Sequence, residues 1–307
     1  MNCKVIGLTA LLVLVPNAAI ATEGGGTARA LGVDTVVAGV MPPPGLQLTT
    51  FLIDYVANHT LDSAGNDRAG ISNFKLNVTG AAFRFAYVWP DAKLWGADIQ
   101  SRVALGPFNA HVRFDVQTPN GKVHRDSSMS GLGDPLISPV ILGWHGERYH
   151  QMAGVYLYVP IGNFDKTRLA NTSRGYYTVA PQYWYTWFPQ DGIEFSGNLI
   201  YLINFENPDT NYTSGNEVGL DYALGFDADP DWQIGISGFL YKQMSDDKRN
   251  GQVVGDGNRG QAVGVGPFVR YHPSRDWGIT FKWQYETQVE NRPQGNRFLL
   301  QVMYKLW

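Results

Sequence analysis

Along four stretches of the chain, hydrophobic and polar side chains alternate with a period of two. Val218, Leu220, Tyr222, Leu224 and Phe226 are apolar, whereas Glu217, Gly219, Asp221, Ala223, Gly225 and Asp227 around them are acidic or small. Trp277, Ile279, Phe281, Trp283 and Tyr285 oppose Gly278, Thr280, Lys282, Gln284 and Glu286 in the same way. Trp232, Ile234 and Ile236 stand against Gln233, Gly235 and Ser237; Phe195, Leu199, Tyr201, Ile203 and Phe205 stand against Glu194, Ser196, Asn198 and Asn204. Successive strand residues point to opposite faces, so each segment predicts a strand with one greasy and one wet face. Such a strand suits either a soluble β-sandwich or a membrane barrel.

The connections separate the two. Twelve strands are predicted near 45–57, 72–88, 93–117, 133–144, 150–160, 176–188, 192–205, 215–228, 231–245, 260–272, 276–289 and 296–307. Short joins such as Trp89-Pro90-Asp91-Ala92, His145-Gly146-Glu147-Arg148 and Asp229-Pro230 alternate with long polar ones at about 58–71, 118–132, 161–175, 206–214, 246–259 and 290–295. Tight turns on one side and loose loops on the other are the habit of outer-membrane barrels, with turns facing the periplasm. An even strand number then puts both termini in the periplasm. Gly106-Pro107 inside the third strand marks a bulge or break, and splitting there would give thirteen. The expected fold is therefore all-β: an antiparallel transmembrane β-barrel of about 12 strands with periplasmic termini.

Composition narrows the partners. Charged residues make up 17% and the net charge is −3, so no basic surplus is available for a phosphate backbone and nucleic acid is not an expected partner. The 35 glycines and 17 prolines of the 307-residue chain argue against an all-α fold. After Lys4, an apolar run from Val5 to Val15 leads to Pro16 and the small-residue pattern Ala19-Ile20-Ala21. This reads as a signal peptide over residues 1–21, cleaved before Thr22. The only cysteine, Cys3, would leave with it, which excludes thiolate metal sites and cysteine catalysis from the mature chain. Residues 22–44, closing on Met41-Pro42-Pro43-Pro44, cannot join a ladder, since prolines lack amide donors. They form either a periplasmic leader or a plug inside the lumen, and 45–307 forms the barrel. Tyr87, Trp89, Trp95, Trp144, Trp184, Trp187, Phe188, Trp232, Trp277 and Trp307 lie near strand ends and predict an aromatic girdle.

Several stretches resemble the family of outer-membrane proteins associated with the meta-pathway of phenol degradation. They are Pro42-Pro43-Pro44-Gly45, Gly131-Leu132-Gly133-Asp134-Pro135-Leu136 leading into Pro139 to Trp144, and Val159-Pro160-Ile161-Gly162-Asn163-Phe164-Asp165. Tyr212-Thr213-Ser214-Gly215 and Gln243 shortly before Asp246 and Asp247 continue the likeness in order along the mature chain. The resemblance implies a β-barrel channel for small hydrophobic or aromatic solutes. The last strand departs from the usual barrel ending: Phe298, Leu300, Val302, Tyr304 and Leu306 share the greasy face, and the terminal Trp307 falls out of phase.

If the greasy faces meet lipid, their alternates point into the lumen. The lumen-lining candidates are Glu194, Glu217, Asp221 and Asp227 on the seventh and eighth strands, Phe239, Tyr241 and Gln243 on the ninth, and Arg270 and Lys282 on the tenth and eleventh. Acidic and basic sectors facing one another would set a transverse field in a narrow pore, or simply neutralise each other in a filled barrel. The expected function is passive uptake of small solutes, hydrophobic or aromatic, with outer-membrane lipid and the barrel assembly machinery as partners and no cofactor or metal. Two other readings compete. One is a barrel-type lipid hydrolase, for which His59, His111, His124, His145, His150 and His272 offer no clear serine neighbour. The other is a secreted β-sandwich binding protein.

Overall fold

The computed structural model describes residues 25–307; the expected signal peptide and its cleavage point lie outside them. Among the described residues eighteen strands follow one another. The first seven are β1 (Gly45–Thr60), β2 (Ile71–Leu94), β3 (Ala97–Leu105), β4 (Pro107–Thr118), β5 (Gly121–Leu132), β6 (Leu136–His145) and β7 (Tyr149–Tyr158). Next come β8 (Thr178–Trp187), β9 (Ile193–Asn204), β10 (Glu206–Asn207), β11 (Tyr212–Thr213), β12 (Glu217–Asp227) and β13 (Trp232–Gln243). The last are β14 (Lys248–Arg249), β15 (Gln252–Val253), β16 (Gln261–Tyr271), β17 (Trp277–Glu290) and β18 (Pro293–Lys305).

The main sheet runs β1-β18-β17-β16-β13-β12-β9-β8-β7-β6-β3-β2, and β2 returns to β1, so the sheet closes on itself. Closure leaves no edge along the ring and overturns the two-sheet sandwich. The ring has twelve staves, all antiparallel. Gly106 does interrupt the third, yet β3 and β4 on either side of it both pair with β2, so the break adds no stave. A side chain at Gly106 would put its Cβ 1.8 Å from the Ala81 carbonyl oxygen, which is why glycine stands where the staves press together.

One expected loop is a strand. Residues 118–132 read as polar connection, but Gly121–Leu132 forms β5 and pairs with β4 along its length, from Thr118↔Gly121 to Pro107↔Leu132. The pairing hides its nature because both faces of β5 carry polar side chains: His124, Asp126, Ser128 and Ser130 on one, Arg125 and Ser127 on the other. Together β5 and β6 make the fourth stave, and the β4–β5 hairpin extends beyond the end of β7, which pairs only with β6 and β8.

The wall is inverted relative to a soluble protein. Exposed positions include Leu52, Leu199, Ile234, Ile236, Phe281 and Trp283, whereas Gln100, Ser138, Glu194, Glu217, Lys282 and Gln284 are fully buried. Greasy outside and polar inside is the arrangement of a barrel whose outer solvent is hydrocarbon. Trp89, Trp187, Trp232 and Trp307 are exposed where the short turns lie, and Trp232 packs on Tyr271 at 4.6 Å between ring centroids. Trp184 is a correction to the girdle. It shares the inward face of β8 with Ala180 and Gln182, is 1% exposed, and packs on Tyr156.

The polarity flips partway along β2 with no change of register. Odd-numbered residues face outward throughout: Asn73, Lys75, Asn77 and Thr79 are polar, and Phe83, Phe85 and Tyr87 further along are apolar. The even-numbered Phe74, Leu76 and Val78 line the inside of the polar-skinned part. Across the ladder, β4 repeats this with Asn109, His111, Arg113 and Asp115 outward and Ala110, Val112 and Phe114 inward. The loop end of the barrel therefore rises out of the apolar belt as a curtain with a wet outer face and an apolar lining.

Candidate functional site

The interior is occupied by the chain's own N-terminal segment. Residues 25–44 lie against inward-facing wall residues from the loop end to the turn end. Thr27 donates to Glu217 at 2.5 Å; Arg29 pairs with Asp221; the Gly32 amide donates to Asp221 at 3.1 Å. Further along, the Val37 amide donates to Glu194 at 2.6 Å and the Gly39 amide to Thr186 Oγ1 at 2.9 Å. Glu194 pairs with Gly225, eight residues along β12 from Glu217, so the segment tracks the wall for about 26 Å. Leu31 and Met41 are buried in the apolar clusters of the wall, beside Phe239 and Tyr241 and beside Trp184 and Ile141 respectively.

Why this segment sits so close follows from its small residues. A Cβ at Gly39 would lie 2.5 Å from the Thr186 amide nitrogen and 2.6 Å from the His150 carbonyl oxygen. Only glycine lets the two backbones meet at that distance. The opposite side of the segment is held by a cation: Lys282 Nζ donates to the Val33 carbonyl at 2.6 Å, to Thr35 Oγ1 at 3.1 Å and to the Gly32 carbonyl at 3.3 Å. Arg84 adds an ion pair to Asp34 at 2.6 Å. Burial raises the Asp34 carboxyl, but Arg84, Arg102 and Lys282 outweigh it and hold it down at about 2, so Asp34 is ionised at neutral pH.

The nine lumen-lining candidates divide accordingly. Glu194, Glu217, Asp221 and Lys282 contact the N-terminal segment directly, which stands between the acidic and basic sectors. Phe239 and Tyr241 are buried with Leu31, and Gln243 Nε2 donates to Asp247 at 2.7 Å under the loop-end strands β10, β11, β14 and β15. Asp227 is exposed at the turn end, where Gln233 Nε2 donates to it at 3.1 Å, and Arg270 is half-buried on β16. Sequence reasoning left out Arg29, Asp34, Arg84, Arg292 and Arg297. The ion-pair partners of Arg29, Asp34, Arg84 and Arg297 lie up to 192 residues away in sequence, as for Arg29 and Asp221, so no local pattern marks them.

Beside the segment a cavity of about 370 Å³ remains. Its lining includes Phe51, Phe74, Leu76, Phe108, Val112 and Phe114 on the wall and Leu169 and Ala170 from the connection between β7 and β8. That connection folds back over the lumen: Asp134 accepts the Gly162 amide at 3.2 Å and the Arg174 amide at 2.7 Å, while Arg174 Nε donates to the Thr27 carbonyl at 3.2 Å. The histidines lie elsewhere. His111 meets Asp126, His124 meets Asp115 and His59 meets Asp67 on exposed positions, and His145 meets His150 at 3.1 Å near the turn end. None of these side-chain partners is a hydroxyl nucleophile.

A closed antiparallel barrel with an apolar outer belt, an aromatic rim and a polar interior is a β-barrel of the Gram-negative outer membrane. The chain belongs to the family described as "Putative MetA-pathway of phenol degradation", whose model matches residues 57–302. Among solved structures it is similar to the COG4313 outer membrane channel from Pseudomonas putida F1, with a TM-score of 0.73 and 16% identity over 89% of this chain and 99% of that one. The NanC porin matches at a TM-score of 0.43 and 10% identity over 84% of this chain and 100% of that one. The transport unit of the autotransporter AIDA-I from Escherichia coli matches at 0.47 and 8% over 93% and 98%. These last two likenesses are too loose to bear on function. No curated protein matches the chain.

Proposed function

We propose that the protein is a passive outer-membrane channel for small hydrophobic or aromatic solutes, held closed at rest by residues 25–44. In this reading the loop end faces outside and both termini face the periplasm, as the alternation of short turns and long loops suggests. The observation that carries it is the cavity of about 370 Å³ inside the barrel, whose wall lining gathers Phe51, Phe74, Leu76, Phe108, Val112 and Phe114 beside a few polar groups such as Arg84 and Arg297. Solute pockets of this kind are mostly apolar with a few placed polar groups. The similar protein from Pseudomonas putida is an outer membrane channel, which supports the same reading. Twelve staves also lie between barrels filled by side chains and wide water-filled porins.

Transport requires the N-terminal segment to move, because it lies along the wall between the acidic residues of β9 and β12 and Lys282 of β17. Beside the apolar contacts of Leu31 and Met41, its hold consists of ion pairs and hydrogen bonds that water can replace, which suits a displaceable closure. Liposome swelling tests the reading. Proteoliposomes should admit 2-phenylethanol faster than a sugar of equal mass relative to protein-free liposomes, and Lys282→Met should raise the rate. Equal rates for both solutes, unchanged by the substitution, would remove the proposal.

A further inference from the structure

The charged residues lining the cavity do not balance. They are Arg29, Arg84, Arg174, Arg292 and Arg297 against Asp34, Asp134 and Asp221. Two pairs cancel, Arg29 with Asp221 and Arg84 with Asp34. Arg297 is bonded to Glu286 at 2.9 Å, and Asp134 is occupied by backbone amides. Arg292 is left. It lies in the turn between β17 and β18, is 4% exposed, and its Nε and Nη1 find no acceptor among the described residues. The nearby carboxylates are taken: Glu286 accepts from Tyr55, Arg297 and the Gly295 amide, and Glu217 accepts from Thr27 and Asn204.

A buried guanidinium stays charged at any physiological pH, and leaving its donors unsatisfied is costly. Arg292 is nonetheless fixed in place, with its guanidinium carbon 4.3 Å from the centroid of the Tyr241 ring. An arginine held rigid with free donors, lining a cavity, is the usual means of receiving a planar carboxylate through two parallel hydrogen bonds. The same cavity carries five phenylalanine rings, Phe51, Phe74, Phe108, Phe114 and Phe164, suited to an apolar and preferably aromatic body. We infer that Arg292 is the anchor of a binding site for aryl-alkanoic acids, with the carboxylate on its guanidinium and the arene against the phenylalanines. This rests on the proposed channel reading and narrows its substrate class from small hydrophobic or aromatic solutes to monocarboxylates with an apolar body.

The test is calorimetric titration of the full-length protein in a non-ionic detergent at pH 7.5. The probes are 4-phenylbutyrate, 4-phenylbutan-1-ol and acetate. The acid should bind at least about tenfold more tightly than the alcohol, and acetate should bind far more weakly than either. Arg292→Met should bring acid and alcohol to equal affinity while the alcohol's own affinity stays within about twofold. Arg292→Lys, which keeps the charge but loses the fork, should retain part of the preference. Unchanged gel mobility of unheated samples would show that both variants fold. If the alcohol binds and the acid binds no better, or if Arg292→Met keeps the preference, the carboxylate site is wrong and the channel reading stands. Acetate binding as tightly as phenylbutyrate would make Arg292 a plain anion site and overturn the inference too. Binding of neither aromatic would remove the cavity reading itself.

Discussion

Lys282→Met offers the sharpest perturbation of the closed state. The lysine is fully buried and donates to Val33, Thr35 and Gly32 of the N-terminal segment. Gln284 Nε2 also donates to the Gly32 carbonyl at 3.2 Å, so that acceptor keeps a partner after the substitution. The Val33 carbonyl and Thr35 hydroxyl oxygens do not. A hydrogen bond to a charged group contributes about 1.5–3 kcal/mol, and two such bonds lost at a site closed to water give about 3 kcal/mol once their non-additivity is discounted. Methionine matches the length of the stem, so packing changes little. When the segment leaves the lumen, water satisfies both acceptors, so the whole loss falls on the closed state. Three kcal/mol is about two decades in the closed-to-open ratio. In planar bilayers the variant should show open probability raised by about 100-fold, or saturated, with single-channel conductance unchanged in the open level. An open probability within about threefold of the wild type would refute the reasoning, since the buried lysine would then not be holding the segment.

Other predictions concern wall and segment separately. Phe281→Arg, in the middle of the outward apolar run of β17, should lower folding stability in lipid by about 2–4 kcal/mol in urea titrations. Asn77→Arg, outward on β2 but beyond the polarity flip, should change it by less than about 0.5 kcal/mol. Gly39→Val would force the segment away from the Thr186 and His150 backbones, and limited trypsin digestion should then cut after Arg29 faster than in the wild type. Equal cleavage would mean that Gly39 does not set the fit.

Much of the barrel could be read in advance because a strand exposes its environment through a period of two. Trp277, Ile279, Phe281, Trp283 and Tyr285 announced β17 and its lipid face without any partner strand. β5 was hidden for the opposite reason: a strand with water on its outer face and mixed polarity inside has no contrast to reveal. Trp184 misled because a tryptophan near a strand end suits both a rim and a core, and only the phase of β8, read from fully buried Ala180 and Thr186, settles which. The flip on β2 was visible in Asn73-Phe74-Lys75-Leu76-Asn77-Val78, where the apolar phase is opposite to that of Phe83, Phe85 and Tyr87. The resting place of residues 25–44 was not legible. Proline-rich and small residues fit a leader or a plug equally, and the choice depends on Glu194, Glu217, Asp221 and Lys282, residues that sequence places on the wall without saying what they hold. Arg292 was invisible for a similar reason: its isolation is a property of the three-dimensional set of carboxylates around it.

Spin labels at Phe83→Cys and Asn77→Cys test the central claim most directly, because both side chains face outward from β2 and lie about 20 Å apart along it. With the protein in phospholipid bilayers, the label at position 83 should be relaxed strongly by dissolved oxygen and little by a water-soluble nickel chelate, and the label at position 77 should show the reverse. A label at position 83 shielded from oxygen and chelate alike, as between two packed sheets, would contradict the account.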